Sequence, residues 1–412
     1  MRKERLIVPV VVGVAVIWAV AQFVAGVLFE RELARALDDL EARGELVVER
    51  TDVEQGWLTS SGTIQLAPLL GDAWQLELGY QARHGLLSTR VEGKAVPYLG
   101  PYRERLFGDA LPSTPPRWHA SYHTLGGTMD GSIQLAPFLA RQGERELDFA
   151  GGRIAFDGQY GDWRLQARLE GLELGDGHAT LEAGPVMLES RYAYTAGAHH
   201  FTQHDLLRIE RLDWRQPSLE LEAHGLVYQS LMQLDDRELR IDGELTVTEV
   251  LTADQRLLTG QVKMELSRIN ADALRDVLAE LRAEAARGDA AREGRELLAR
   301  LEPRLIAMLQ DSPRLDVTTV DLDSPMLRLA ARGDGALFFD ARRLDELSLL
   351  ALEDEEQRGR WLARLDGDFT WYEVPTVVAL WLGLPLDTRN LEIDVVRGEV
   401  RVNGRPMPPL WR

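Results

Sequence analysis

Between residues 45 and 269 apolar and polar side chains alternate with period two. Trp74, Leu76, Leu78 and Tyr80 are interleaved with Gln75, Glu77, Gly79 and Gln81. Val262, Met264 and Leu266 alternate with Lys263, Glu265 and Ser267. This pattern marks antiparallel strands with one buried and one wetted face. Asp-Gly turn signals punctuate it at Asp130-Gly131, Asp157-Gly158, Asp176-Gly177 and Asp242-Gly243. One phrase occurs twice, GTIQLAP from Gly62 and GSIQLAP from Gly131. Each copy is expected to run Ile-Gln-Leu as inside-outside-inside. Pro68 and Pro137 are expected to mark where two strands leave the sheet, because proline has no N–H for the ladder.

After Ile269 the period becomes helical. Asn270 can cap a helix carrying Leu274, Val277, Leu278 and Leu281 on one face. A second helix follows a break between Gly288 and Gly294, is perturbed by Pro303 and stops near Ser312-Pro313. The segment 270–312 is therefore a helical hairpin, expected to cover the apolar face of the sheet. Strand patterns return over 313–412, at Leu315–Leu322, Met326–Ala331, Ala336–Phe339 and Asp368–Glu373. Thr376–Leu382 reads as a short apolar helix, and Leu391–Val396 with Glu399–Val402 as a terminal hairpin.

The N-terminal segment alone lacks either amphipathic period. Leu6–Phe29 has Gln22 as its one strongly polar side chain, long enough at about 20 residues to span a bilayer. Arg2, Lys3 and Arg5 precede it, and Glu30, Glu32, Asp38 and Asp39 follow. The charge bias puts the N-terminus in the cytoplasm and the body outside. Ala19-Val20-Ala21 also has the form of a signal-peptidase site, so cleavage after Ala21 is the competing reading. The expected fold class is α+β and β-rich: a long antiparallel meander of curved sheets with a helical hairpin packed on them, preceded by one N-terminal transmembrane helix. Its divisions are 1–29 (cytoplasmic tip and anchor), 30–44 (juxtamembrane helix), 45–269, 270–312 and 313–412.

Composition narrows the function. There is no cysteine, which excludes disulfides, thiolate metal sites and cysteine nucleophiles. The net charge of −19 repels phosphate backbones and argues against nucleic-acid binding. There is no G-x-S-x-G, S-x-x-K or H-E-x-x-H motif. Histidines form the one suggestive cluster. His119 and His123 are four apart, as are His200 and His204, with His199 and Asp205 adjacent to the second pair. Their convergence would build a metal site, but the pairs lie in strand or loop context. No catalytic, cofactor-binding or metal residue is assigned, and His84 reads as a turn residue.

Several phrases resemble the YdgA-like family of bacterial inner-membrane-anchored envelope proteins, a domain of unknown function. The apolar N-terminal run is followed by Gly56-Trp57-Leu58-Thr59-Ser60-Ser61, similar to that family's Gly-x-Phe-Ser-Ser strand entry. Arg83-His84-Gly85-Leu86 resembles its His-Gly-Pro segment, with Leu86 in place of proline. Phe149–Phe156 resembles its Phe-x-Gly-Gly strand, and Gly398–Met407 is the closest match. The resemblance implies a single-span protein with a large periplasmic β-rich domain, and no catalytic residues.

The expected function is non-enzymatic: a membrane-anchored periplasmic protein holding an apolar ligand or lipid chain in a groove of curved sheet. Many strands each offer an apolar face, while only about 40 helical residues are available to cover them. An envelope scaffold or assembly factor, acting through protein contacts or as a homodimer, would bury the same surplus. A metal-dependent hydrolase using the histidines ranks third.

Overall fold

The computed structural model describes residues 4–42, 46–69, 74–99, 104–105, 115–142, 144–195, 199–287 and 294–407, with backbone alone for 4–17, 19, 42, 99, 104–105, 140, 142, 284–287 and 294–295. Its first element is a continuous helix α1 (Glu4–Ala42), unbroken at the expected boundary between residues 29 and 30. Among the described residues no helix is long and apolar enough to cross a membrane. The N-terminal part of the apolar run falls on side chains outside the described residues.

The body is one antiparallel sheet, 23-stranded among the described residues. It opens with β1 (Leu46–Gln55), β2 (Thr59–Pro68), β3 (Trp74–His84), β4 (Ser88–Leu99), the short β5 (Glu104–Arg105), β6 (Arg117–His123) and β7 (Thr128–Leu135). Five shorter strands and one long one follow: β8 (Phe138–Gln142), β9 (Arg145–Phe149), β10 (Gly152–Gln159), β11 (Asp162–Leu169), β12 (Leu172–Gly175) and the long β13 (Thr180–Tyr194). Long strands continue through β14 (Phe201–Gln216), β15 (Leu219–Leu234), β16 (Glu238–Thr252) and β17 (Gln255–Asn270). After the helices α2 (Ala271–Arg287) and α3 (Gly294–Ala307) come β18 (Arg314–Ser324) and β19 (Leu329–Phe339), then α4 (Glu355–Leu362), β20 (Leu365–Tyr372) and α5 (Thr376–Trp381). The hairpin β21 (Leu391–Val396), β22 (Glu399–Val402) and the two-residue β23 (Arg405–Pro406) close the chain. The patterns expected at 326–331 and 336–339 fall on the single strand β19, except 326–328, which form the turn before it.

Pairing follows chain order from β13 to β23, as a meander of hairpins requires. One fork interrupts the order earlier. The second half of β13 pairs with β11, and its first half pairs with β12, which continues to β9 and β8. The fork explains the repeated phrase. Pro68 is the last residue of β2, as expected. Pro137 instead separates β7 from β8, so that strand bends into the fork and stays in the sheet. The glycines that open both copies share a role. Gly62 lies opposite Tyr80 and Gly131 opposite Phe156. A Cβ on Gly62 would sit 2.8 Å from the Tyr80 hydroxyl, and one on Gly131 2.5 Å from Phe156 Cζ. Each glycine makes the floor on which an aromatic ring lies, a device that stiffens strands otherwise weakened by glycine.

The helical hairpin covers less of the sheet than the sequence pattern implies. Val277 of α2 packs on Leu297 and Leu301 of α3, giving the pair its own small core. Its Arg275 donates to the carbonyls of His199 and Asp235, which lie in the β13–β14 and β15–β16 turns. The hairpin therefore caps one edge of the sheet and leaves the broad face open. Part of the apolar stripe of α2 and α3 is spent on their mutual contact, and Ile306 of α3 packs with Phe339 of β19 and Leu365 of β20, so the hairpin covers that end of the apolar face alone.

Candidate functional site: an open apolar face and the helix at one end of it

Directly paired residues in an antiparallel sheet share a face, so the register defines the two faces of β11–β19. One cross-strand row reads Ala167, Leu188, Leu207, Tyr228, Leu245, Val262 and Val320. Two residues away on the same face, another reads Leu169, Val186, Ile209, Leu226 and Val247. On the other side of the first row, beyond one intervening row, lie Trp163, Tyr192, Gln203, Met232, Ile241 and Leu266. The intervening row is more polar, with Ser190, Asp205, Ser230, Gly243 and Met264. Asp205 accepts from Gln203 Nε2 at 2.8 Å and Ser230 Oγ at 3.5 Å, so the carboxylate in this row is held by its neighbours.

The opposite face is charged. Arg164, Glu189, Arg191, Glu244, Lys263 and Glu265 line a 490 Å³ hollow there. A second hollow, of 970 Å³, lies on the same charged side nearer the N-terminus, lined by groups that include Glu92, Lys94, Arg117 and His119. The spacious hollows are thus polar, while the apolar face is an open wall in which Tyr228, Leu245 and Met264 are exposed. That wall has a charged end. Arg211 and Arg215 flank the buried Asp213 at 2.9 and 3.2 Å on the same face, and Arg211 also meets Glu222 at 3.0 Å.

The wall continues into β1–β7, and here α1 covers it. Phe29 is buried among Ile64, Tyr80, Ala82, Val91, Ala120 and Tyr122. Leu33 and Leu37 extend the contact. Ala25 and Phe29, expected inside the bilayer from their place in the apolar run, are instead buried by the sheet. Polar contacts fix the helix. Gln22 Nε2 donates to the His84 carbonyl at 2.7 Å. Arg50 Nη2 meets Glu30 Oε2 at 2.6 Å, and Arg50 Nε donates to the Tyr80 hydroxyl at 3.0 Å. Burial raises the Tyr80 hydroxyl pKa, against the lowering effect of its bond to Arg50.

His84 is a correction to its expected place in a turn. It ends β3 beneath α1, is 5% exposed, and has Nδ1 at 3.2 Å from Thr89 Oγ1. A Cβ on Gly26 would lie 3.2 Å from its ring, so a glycine at this helix position permits the close approach. Burial pushes the imidazole below its usual 6.5, with the Glu30 carboxylate opposing the shift.

The two histidine pairs do not converge on each other. His119 and His123 are on β6 and His204 is on β14, five strands away or about 24 Å along the sheet. His119 meets Ser132, and His123 meets Asp130 at 2.7 Å. His200 joins His199 and Asp236, with ligand atoms within 4.8 Å of one another. This trio is exposed turn chemistry: His200 Nε2 lies 2.6 Å from Asp236 Oδ1 and depresses its carboxyl pKa.

The sequence profile described as "Bacterial protein of unknown function (DUF945)" matches residues 1–370, about nine-tenths of the chain. The chain belongs to this family. The match includes α1, the covered end of the wall and the whole open face, and it stops before the Gly398–Met407 hairpin. No curated protein and no solved structure matches the chain.

Proposed function

We propose that this DUF945 protein is a non-enzymatic, membrane-anchored envelope protein that holds the acyl chain of a lipid against the open apolar face of β13–β18. The observation that carries the reading is the Leu188–Leu207–Tyr228–Leu245–Val262 row on a sheet face that no described element covers. Apolar area of this extent on a folded chain calls for an occupant. From Phe201 to Ile209 the face extends eight residue steps along β14, about 26 Å at the rise of a strand. The acyl chains of one leaflet are about 15 Å long, half of the hydrocarbon core, so a chain fits within the rows. Continuity favours lipid as the occupant, because the same face receives α1, whose N-terminal sequence is the apolar run from Leu6. That run, flanked by Arg2, Lys3 and Arg5, would anchor the protein with its body in the periplasm.

The test is photo-crosslinking in membranes with benzoylphenylalanine placed at Leu245 on the apolar face or at Glu244 on the charged face. Lipid-mass adducts at position 245 and none at 244 are expected. Adducts of 245 with a second copy of the chain or with another protein would favour a scaffold and overturn the lipid reading, as would no adduct at either position.

A further inference from the structure

We infer that three hairpin tips beside α1 seat the domain in the surface of a lipid bilayer, forming an apolar collar where the helix leaves the sheet. The register brings the β1–β2, β3–β4 and β6–β7 turns to one edge, since Gln55 pairs with Ser60, His84 with Thr89 and His123 with Thr128. The turns are also joined to one another. His84 N–H donates to the Leu58 carbonyl at 2.7 Å, and Thr124 N–H to the Leu87 carbonyl at 3.0 Å.

What these tips present is unusual. Surface turns are normally polar, because turn chemistry favours Gly, Asn, Asp and Ser. Here the outermost side chains are Trp57, Leu87 and Leu125, which are 71%, 66% and 86% exposed. Further along the same edge, the β13–β14 and β15–β16 turns carry His199, His200, Asp235, Asp236 and Arg237. Compared with those two charged turns, the tips on the strands that hold α1 are apolar.

The helix supplies the second observation. Gln22 is level with the His84 carbonyl at this edge, and Phe23 meets Trp57 edge-on with ring centroids 6.2 Å apart. Trp18, Val20 and Phe23 are exposed on the helix beside the tips. Tryptophan and leucine around an emerging apolar helix are the composition of a membrane interface, where an indole accepts a half-wet setting. An aqueous partner protein would need to match three separate loop tips, whereas a bilayer surface meets them all in one plane. The exposed Leu380, Trp381 and Leu386 lie after β20, whose Tyr372 pairs with Arg332 at the opposite edge, and are no part of this seat. The inference rests on membrane proximity and not on lipid occupancy of the open face.

The absence of native cysteine makes the test direct. Full-length Leu87→Cys, Leu125→Cys, Val20→Cys and Leu219→Cys variants carry an environment-sensitive fluorophore and are reconstituted in vesicles of phosphatidylethanolamine and phosphatidylglycerol. Leu219 is the control, because it starts β15 at the edge opposite Leu234. Doxyl lipids are expected to quench positions 87, 125 and 20 several-fold more than position 219. Quenching at 20 alone overturns the collar while retaining a membrane-bound helix. No quenching above the control at any position overturns both.

Discussion

The side-chain amide of Gln22 donates to the backbone carbonyl of His84 across 62 residues of chain, at 2.7 Å and out of contact with water. It is the polar residue of an otherwise apolar run, and the sheet edge accounts for its position. Gln22→Met keeps the volume and removes the donor, which is expected to cost about 1 kcal/mol. Hydrogen exchange should then accelerate in α1 around residues 22–29 while the amides of β14–β16 remain protected.

Phe29 is the apolar counterpart. It is 3% exposed and touches strands from β2 to β6. Phe29→Ala is expected to destabilise the N-terminal half of the sheet by about 3 kcal/mol. Urea titration followed by tryptophan fluorescence measures the loss, and a change below about 1 kcal/mol would contradict the docked helix.

Acidification should loosen the same contact. The buried His84 imidazole titrates below 6.5, so the folded state resists a proton that the unfolded chain accepts. The stabilisation is complete above 6.5 and is lost as pH falls through the lowered folded value. The urea midpoint should drop as pH falls below 6.5, and His84→Asn should flatten that part of the profile.

Gly62 and Gly131 test the ring floors. Gly131→Val drives a branched side chain into Phe156 and the His119 carbonyl, both 2.5 Å from its Cβ. A loss of about 1–3 kcal/mol is expected from the overpacking. The same exchange at Gly79, whose Cβ meets nothing within 4 Å, should be far milder in the same denaturation assay.

The open wall should behave as surface. Leu245→Asp is expected to change stability by less than about 0.5 kcal/mol, since no core forms over it. Thermal unfolding of this variant beside Val91→Asp, whose parent side chain is buried beneath α1, separates the uncovered part of the face from the covered part.

The sequence announced the strands through their alternation, and the terminal hairpin was legible to the residue at Leu391–Val396 and Glu399–Val402. What it concealed was how apolar faces are shared. The stripe on Val277 and Leu281 has the period of a helix lying on a sheet, but that period is equally satisfied by Leu297 and Leu301. Likewise, Ala25 and Phe29 are apolar whether lipid or protein surrounds them; register and three-dimensional packing reveal the difference. His84 looked like a turn residue because Gly85 follows it, and nothing local records a helix about 60 residues earlier pressing on its ring. The histidine spacing of four carried no information because strands β6 and β14 never meet.

The hairpin order of the sheet bears on how the protein is made. From β13 onward every strand pairs with the one just before it in the chain. A chain delivered N-terminus first can lay each new strand on an edge already in place, with α1 and β1–β7 as the template. The growing edge is always the most recently made strand, so no early strand has to wait unpaired for a distant partner. From β13 onward a sheet this wide can then grow with one new edge exposed to mispairing at a time.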